Sequence, residues 1–223
     1  MSRPVSPYHQ PGFYDAALAK GRHRDIVGGR WEETGLVQMQ LLLAAGLDRH
    51  HTFLDIGAGS LRLGCRVVPY LDPGRYWATD LSGALMKRGY DLELQDKSRL
   101  PEDHLIEDAH FAFPGVPDTI DMAMAFAVFT HLPLTHLQSA LPNIRARFPR
   151  LQKLLFTVFL APDAEAARAA LRQPDGVVTH PDRAPYHHLG PDVVLAAQSA
   201  GFTATLSDPY LPRGQILCTA VPS

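Results

Sequence analysis

The chain has 223 residues, of which 46% are hydrophobic and 20% charged, with a formal net charge of −2 at pH 7. This composition predicts one globular domain with a sizeable core, and the near-neutral balance argues against a nucleic-acid backbone or an anionic membrane as partner. No apolar run reaches the length of a membrane span, and the two cysteines, Cys65 and Cys218, share no motif. The sequence therefore predicts a cytoplasmic protein with reduced thiols.

Two helices are predicted near the N-terminus, at residues 13–20 and 31–45. The second carries its apolar residues on one predicted face: Leu36, Met39, Leu42 and Leu43. Strands are predicted at 52–56, 75–80, 104–107, 120–127 and 152–160, and helices between and after them at 61–71, 82–95, 134–148 and 162–172. A proline- and histidine-rich loop at 173–190 precedes a helix at 191–200 and two strands at 202–207 and 215–221.

This alternation of strands and helices predicts an α/β fold with a doubly wound, mostly parallel sheet. The runs MAMAFAV and LLFTVFL are continuously apolar, as expected for strands buried on both faces. The last two strands are separated by too few residues for a crossover helix, so they are predicted to pair antiparallel. We expect a single domain over 1–223, with 1–46 as a helical lid, 47–223 as the core and 173–190 as a substrate-side loop.

A glycine turn follows the first predicted strand, in the stretch HHTFLDIGAGSLRLG at residues 50–64. Strand, glycine turn and helix in succession are typical of sites for nucleotide-like ligands. A dinucleotide site requires a third glycine where this chain has Arg62. Asp55, two residues before Gly57, would also repel a pyrophosphate. A carboxylate there suits a cationic ligand such as S-adenosylmethionine, which carries an ammonium and a sulfonium.

A second acidic residue closes the next predicted strand. Asp80 lies 21 residues after Gly59, about the spacing at which a carboxylate reaches ribose hydroxyls. The alternative is that Asp80 only caps the helix that begins near Ser82. Asp108, after the third strand, is a third acidic position and is placed to meet an adenine amino group.

The motifs DIGAGS, ATDLS, EDA and FAVFTHLP, in this order and spacing, resemble those of class I S-adenosylmethionine-dependent methyltransferases. The flanking stretches GGRWEETGLVQMQLLLAAGL, YHHLGPDVVLAAQSAGF and PRGQ resemble one bacterial, small-molecule-type branch, from about Lys20 onward. The resemblance implies a Rossmann-like sheet of seven strands with the last strand antiparallel. It implies cofactor contacts from Asp55, Gly57, Ala58, Gly59, Arg62, Asp80, Leu81, Asp108, Ala109, Ala127 and Phe129.

Two positions depart from the superfamily pattern. A further glycine of the first motif is replaced by Leu61, which predicts a tighter or shifted turn. FPRLQ stands where a Pro-Gly-Gly turn is usual before the fifth strand.

Methyl transfer from a sulfonium needs mainly an aligned nucleophile and the exclusion of water. A general base is needed only if the acceptor arrives protonated, and histidine is the usual choice near neutral pH. The candidate bases are His131, His187 and His188, with purely structural roles as the alternative. The candidate substrate contacts are Arg24, Trp31, His180 and Tyr186. No CxxC or HExxH pattern occurs, so no metal is expected.

The sequence thus predicts a methyltransferase that moves a methyl group from S-adenosylmethionine to an oxygen or nitrogen of a small molecule, in specialised-metabolite biosynthesis. Neither a nucleic acid nor a membrane is expected as partner, and the oligomeric state is left open. Alternatives are methylation of a peptide or protein side chain, or a cofactor-binding protein without transferase activity.

Overall fold

The computed structural model describes residues 5–10, 12–208 and 210–223. Its α-helices are α1 Phe13–Ala19, α2 His23–Ile26, α3 Trp31–Ala44, α4 Gly64–Tyr70, α5 Gly83–Glu93, α6 Leu134–Arg147 and α7 Gly190–Ser199. Its strands are β1 Phe53–Ile56, β2 Tyr76–Asp80, β3 Leu105–Glu107, β4 Met122–Ala125, β5 Lys153–Val158, β6 Leu160–Ala161, β7 Leu171–Arg172, β8 Val178–Thr179, β9 His188–Leu189, β10 Phe202–Leu206 and β11 Ile216–Pro222.

Seven of these strands form one sheet in the order β10-β11-β5-β4-β1-β2-β3. Strands β1, β2 and β3 are parallel, with Phe53 opposite Tyr76 and Ala78 opposite Leu105. Strand β11 is antiparallel to both β5 and β10. The predicted α/β fold, with a mostly parallel sheet and an antiparallel C-terminal strand, is confirmed.

The chain divides into two compact units. One contains residues 12–123, with α1 to α5 and the strands β1 to β3. The other contains residues 5–10 and 124–223, with α6, α7 and the strands from β5 onward. The N-terminal stretch that the sequence predicts as a lid is thus shared between the two units.

Each unit buries apolar strand residues. In the first, Phe53, Leu54 and Ala78 are inaccessible to solvent, and in the second so are Leu155 and Phe156. Burial of each large side chain contributes on the order of 1.5–3 kcal/mol. The residues that concern function lie at or directly after the carboxyl ends of β1, β2 and β3 in the first unit, and directly after β4 in the second.

Helix α3 does not bury the face that the sequence predicts. Leu42 is buried, but Leu36 and Leu43 are 56% and 45% exposed. Small and polar residues, Gly35 and Gln38, point inward instead. The reason is tertiary: α3 packs on two arginines, since Arg62 donates to Gln38 and a methyl group at Gly35 would lie 2.6 Å from the guanidinium carbon of Arg66.

The predicted helix at 162–172 is wrong. Asp163 accepts hydrogen bonds from the backbone N–H groups of Glu165 and Ala166, at 2.9 and 2.8 Å, which forms a turn. After a single 3-10 turn, β7 pairs antiparallel with β8, Leu171 opposite Thr179. Alanine-rich helical propensity is overridden here by pairing with residues in the following loop.

Candidate functional site

The glycine turn after β1 has the backbone of a tight loop. Gly57 and Gly59 have φ of 74° and 57°, a left-handed conformation in which glycine has no side-chain clash. Leu61, where the superfamily pattern has glycine, is also left-handed, with φ of 60°, and is buried. The fold therefore keeps the backbone of the motif at this position and accepts the strain of a leucine side chain.

The N–H groups of this loop are used within the protein. Gly57 and Ala58 donate to the carbonyl oxygen of Thr79 at 2.7 and 3.1 Å. Gly59 donates to Oδ2 of Asp80 at 2.8 Å. A loop that cradles phosphates instead directs its N–H groups toward the ligand. These three N–H groups are therefore committed to β2 and the residue that closes it.

Asp80 joins the glycine loop to the start of α5. Its Oδ2 accepts from Gly59, and its Oδ1 accepts from the N–H of Ser82 at 3.0 Å. Ser82 is itself the helix cap, because its hydroxyl accepts from Leu85. Burial raises the pKa of Asp80 to about 6, although these backbone hydrogen bonds oppose the shift. Each carboxylate oxygen has a second lone pair, with which it can accept a hydrogen bond from a ligand.

Asp55 is held by a tyrosine. The Tyr76 hydroxyl donates to Oδ2 of Asp55 at 2.7 Å, and both residues are buried. Burial raises the pKa of Asp55 to about 7, against the effect of the Tyr76 hydrogen bond, and the nearby charge of Asp80 raises it further. Gly64 makes room for this pair, since a methyl group there would lie 2.8 Å from the Tyr76 hydroxyl.

Arg62 binds the segment that runs from α2 to the first residue of α3, which we call the N-terminal strap (residues 23–31). Its guanidinium donates to the carbonyl oxygens of Val27 and Gly29 at 2.9 and 3.3 Å. The Ser60 hydroxyl donates to the carbonyl oxygen of His23 at 2.8 Å. Val27 lies against Gly59, because a methyl group at Gly59 would come within 2.6 Å of its side chain. The strap therefore lies directly on the glycine loop.

The strap is also tied to α5 through Glu93. Arg24 donates to both carboxylate oxygens of Glu93, at 2.8 and 2.7 Å, and His23 Nε2 lies 2.6 Å from the same carboxylate. The Arg24 guanidinium lies 5.0 Å from the centre of the Trp31 ring. Arg24, a predicted substrate contact, thus binds a carboxylate of the protein itself and lies over the ring of Trp31, the other predicted contact. All three residues line a surface cavity of about 540 Å³.

The third predicted acidic position organises its own loop. Asp108 accepts from the N–H groups of His110 and Phe113 at 2.9 and 2.8 Å. Its own N–H donates to the carbonyl oxygen of Asp80 at 2.9 Å. Ala109 is exposed and Leu81 is half-buried. The structure therefore places these residues directly beyond the carboxyl ends of β2 and β3.

Helix α5 approaches the glycine loop very closely at Gly89. A methyl group there would lie 2.1 Å from the carbonyl oxygen of Ser60, which is closer than any real contact. Gly89 lies inside the helix predicted at 82–95, and no motif of the sequence predicts a role for it. Glycine inside a helix is about 1 kcal/mol less favourable than alanine. Its presence at this position could therefore have indicated a close contact between α5 and another part of the chain.

In the other unit, Ala127 and Phe129 follow β4. Ala127 is left-handed, with φ of 60°, and its N–H donates to the Thr157 hydroxyl at 2.7 Å. Phe129 is buried edge-on against Phe156, with ring centres 5.6 Å apart. Thr157 was missed because it stands within an apolar strand run.

The two adjacent histidines have different surroundings. His187 has both ring nitrogens within hydrogen-bonding distance of protein atoms, Nδ1 at 2.8 Å from the Thr179 hydroxyl and Nε2 at 3.2 Å from the Ala167 carbonyl oxygen. His188 is buried, and within the part of the chain that the structure describes its Nε2 has no hydrogen-bond partner. Burial lowers the pKa of His188, although hydrogen bonding to the backbone at Phe129 and Leu132 opposes this.

His131 lies near the N-terminal residues of the same unit. Its ring packs edge-on against Tyr8 with centres 4.8 Å apart. Burial, followed by the positive charge of Arg213, lowers the pKa of His131 to about 4. The Tyr186 hydroxyl donates to the Val5 carbonyl oxygen at 3.0 Å, and His180 pairs by its backbone with Tyr186 and Pro185. Val5 and Tyr8 therefore lie against Tyr186 and His131, two of the predicted site residues.

Among residues 5–10, 12–208 and 210–223, no cluster of three or more histidine, cysteine, aspartate or glutamate side chains could hold a metal ion. Within the same part of the chain, no helix is both long and apolar enough to cross a membrane.

No protein-family model matches the sequence, and no curated protein sequence matches it significantly. Solved structures are similar in fold. Magnesium protoporphyrin IX methyltransferase from Synechocystis PCC 6803, with bound S-adenosylmethionine, is 14% identical with a TM-score of 0.63, over 97% of this chain and 94% of that one. The 1,6-didemethyltoxoflavin-N1-methyltransferase of Burkholderia thailandensis is 20% identical with a TM-score of 0.63, over 100% and 93% of the two chains.

A putative O-methyltransferase from Nostoc punctiforme PCC 73102 is 18% identical with a TM-score of 0.65, over 97% of this chain and 70% of that one. These likenesses extend over nearly the whole chain, and they agree with the motif resemblance and the strand order. The chain has the fold of the class I S-adenosylmethionine-dependent methyltransferases.

Proposed function

We propose that the protein transfers a methyl group from S-adenosylmethionine to an oxygen or nitrogen atom of a small molecule. The observation that carries the proposal is the position of Asp80. Asp80 is the last residue of β2. One of its carboxylate oxygens accepts from the N–H of Gly59 in the glycine loop, and the other accepts from the N–H of Ser82, which caps α5. An acidic residue at this point of an α/β sheet is placed for ribose hydroxyls.

The glycine loop favours an adenosyl sulfonium over a dinucleotide. Its N–H groups at Gly57, Ala58 and Gly59 are bonded to β2 and Asp80, so they are not directed at a pyrophosphate. Two buried carboxylates, Asp55 and Asp80, lie near the carboxyl ends of the adjacent strands β1 and β2, and the charge of Asp80 raises the pKa of Asp55. A cationic ligand relieves the cost of such buried negative charge, whereas a pyrophosphate would increase it.

The residues fit the cofactor in the following way. Asp80 would hold the ribose, Asp55 would face the charged methionine end, and the turn after β3 at Asp108 and Ala109 would border the adenine. When bound, S-adenosylmethionine supplies an activated methyl group. The protein's own task is to hold the acceptor in line and to exclude water.

His188 is the best candidate for a general base. Its Nε2 has no hydrogen-bond partner among the described residues, so this nitrogen is the one left for an acceptor. In the tautomer protonated on Nδ1, Nε2 presents a lone pair that takes the proton of the acceptor. His187 uses both nitrogens structurally, and His131, with a pKa of about 4, is a weak base.

We propose that residues 5–10 cover the place where the methyl acceptor binds, next to the candidate base His188. Tyr186 binds Val5 and Tyr8 packs on His131, and all four belong to one unit. Because His188 Nε2 is enclosed, an acceptor reaches it only when this neighbourhood opens. The small-molecule acceptor, a role in biosynthesis and a cytoplasmic location are parts of the same proposal.

The test is calorimetric titration of the purified protein with S-adenosylmethionine, S-adenosylhomocysteine and NADH. Micromolar binding of the first two without NADH binding supports the proposal, and binding of NADH alone contradicts it. A panel of small-molecule and peptide acceptors, analysed by mass spectrometry for a gain of one methyl group, then tests the acceptor class. Transfer to peptides alone would contradict the small-molecule assignment.

A further inference from the structure

A buried hydroxyl interrupts the apolar core of β5. Thr157 is inaccessible to solvent and stands between Phe156 and Val158, which are equally buried. Valine has nearly the same shape and would fill this position without a polar atom. A polar group at such a depth is unfavourable unless its hydrogen bonds are satisfied, so its surroundings explain why a hydroxyl is present.

The Thr157 hydroxyl is the middle of a hydrogen-bonded relay. It accepts from the Ala127 N–H at 2.7 Å, and it lies 2.6 Å from Oε1 of Gln215, to which it donates. Gln215 is buried and directly precedes β11. The relay therefore links the loop after β4, the interior of β5 and the start of β11.

Ala127 needs this support because its backbone is left-handed, with φ of 60°, a conformation that alanine disfavours. The same loop is held on its other side, where the Thr130 hydroxyl donates to the Ala127 carbonyl oxygen at 2.9 Å. The Thr130 carbonyl oxygen in turn accepts from the N–H of Tyr186 at 2.8 Å. The loop at 127–132 thus has a fixed shape between Thr157 and the segment that carries His187 and His188.

We propose that Thr157 and Gln215 are positioning residues, which set the loop at 127–132 in the geometry required for cofactor binding. The inference rests on the proposed function, because it is the motif resemblance that places Ala127 and Phe129 beside the cofactor. Neither Thr157 nor Gln215 is required to touch the cofactor. Each acts through the Ala127 N–H.

The experiment compares full-length variants by binding of S-adenosylhomocysteine and by amide hydrogen exchange at Ala127 in ¹⁵N-labelled protein. Thr157→Val removes only the hydroxyl, and Gln215→Met removes its acceptor. Both are expected to weaken S-adenosylhomocysteine binding by about tenfold, the loss typical of one buried hydrogen bond, and to speed exchange at Ala127. Thr157→Ser keeps the hydroxyl and is expected to restore both properties.

The double variant Thr157→Val with Gln215→Met should bind no more weakly than the worse single variant, because both changes break one relay. Thr219→Val, in β11 and outside the relay, is the matched control and should bind like the wild type. Unchanged binding in Thr157→Val would overturn the proposal, as would faster exchange at Ala127 without weaker binding. If the wild type does not bind S-adenosylhomocysteine, the proposed function fails, while the Ala127 exchange data still report whether the relay exists.

Discussion

The carboxylate of Asp80 accepts a hydrogen bond from the backbone N–H of Gly59, 21 residues earlier in the chain, at 2.8 Å. This bond fixes the distance between the glycine loop and the residue proposed to hold the ribose. The same carboxylate binds Ser82 at the start of α5. This side chain therefore has a structural role at the start of α5, and its role in binding the ribose stays a prediction.

Replacing Asp80 with Asn should weaken binding of S-adenosylhomocysteine by about 10- to 100-fold. A hydrogen bond to a charged group contributes about 1.5–3 kcal/mol, and the amide keeps the shape but only one acceptor oxygen. Titration calorimetry measures the change. Asp72→Asn is the control, because Asp72 pairs with Arg49 and His50. Equal affinity in Asp80→Asn and wild type would refute the assignment.

The protonation of Asp55 should affect how the free energy of unfolding depends on pH. Its pKa is raised from 3.8 to about 7 in the folded protein, so between these values the folded state binds the proton more tightly than the unfolded state. Its contribution to the free energy of unfolding is therefore present at low pH and is lost as the pH rises toward and through 7. Asp55→Asn cannot lose a proton and should gain stability relative to wild type over this window.

Urea unfolding of wild type and Asp55→Asn at about pH 5 and about pH 8 measures this relative gain, which we expect to be on the order of 2 kcal/mol. Taking the difference between the two proteins removes the effect of other titrating groups. A difference that is independent of pH would show that Asp55 ionises normally.

Gly89→Ala should destabilise the protein, although alanine is the better helix former by about 1 kcal/mol. The added methyl group would lie 2.1 Å from the Ser60 carbonyl oxygen, so α5 or the glycine loop must move. We expect a loss of about 1–3 kcal/mol in urea unfolding, with weaker S-adenosylhomocysteine binding. Arg88→Ala in the same helix should change stability by less than about 0.5 kcal/mol. A Gly89→Ala variant that is as stable as wild type would contradict the close approach.

Variants of Leu61 compare two contributions to the free energy of unfolding, the strain of its left-handed backbone and the burial of its side chain. Leu61→Gly relieves a left-handed backbone, worth about 1–2 kcal/mol, but removes a buried side chain whose truncation costs about 2–5 kcal/mol. Leu61→Ala loses the burial and keeps the strain. Both variants should be less stable than wild type, with the glycine variant the more stable of the two by about 1 kcal/mol. The reverse order in urea unfolding would show that the strain is relieved in another way.

Replacing His187 and His188 separately should show which of them acts as the general base and which has a structural role. With an acceptor identified by the panel, His188→Gln should lower the rate of methyl transfer by about 10²- to 10⁴-fold while S-adenosylhomocysteine binding is kept. His187→Gln should mainly lower stability, because it breaks contacts with Thr179 and Ala167. Full turnover in His188→Gln would exclude it as the base.

Much of the fold could be predicted from the sequence, because its signals are local. Apolar runs predicted the central strands, and the short connection after β10 predicted the antiparallel end of the sheet. The glycine turn was predicted from an apolar run followed by Gly57 and Gly59, and Asp80 was singled out by its spacing of 21 residues from Gly59. The helix predicted at 162–172 failed because helical propensity is weak compared with hairpin pairing to residues that follow.

Only the tertiary structure decided what each polar side chain binds. Arg24, predicted for a substrate, is bonded to Glu93, 69 residues away, and Tyr186 reaches Val5, 181 residues away. The Thr157–Gln215 relay depends on such contacts too. Only the structure shows that His188 Nε2 has no hydrogen-bond partner among residues 5–10, 12–208 and 210–223. The sequence determined where strands and turns lie, because neighbours in the chain govern them. The fold decided the partners, because side-chain hydrogen bonds depend on distances in space.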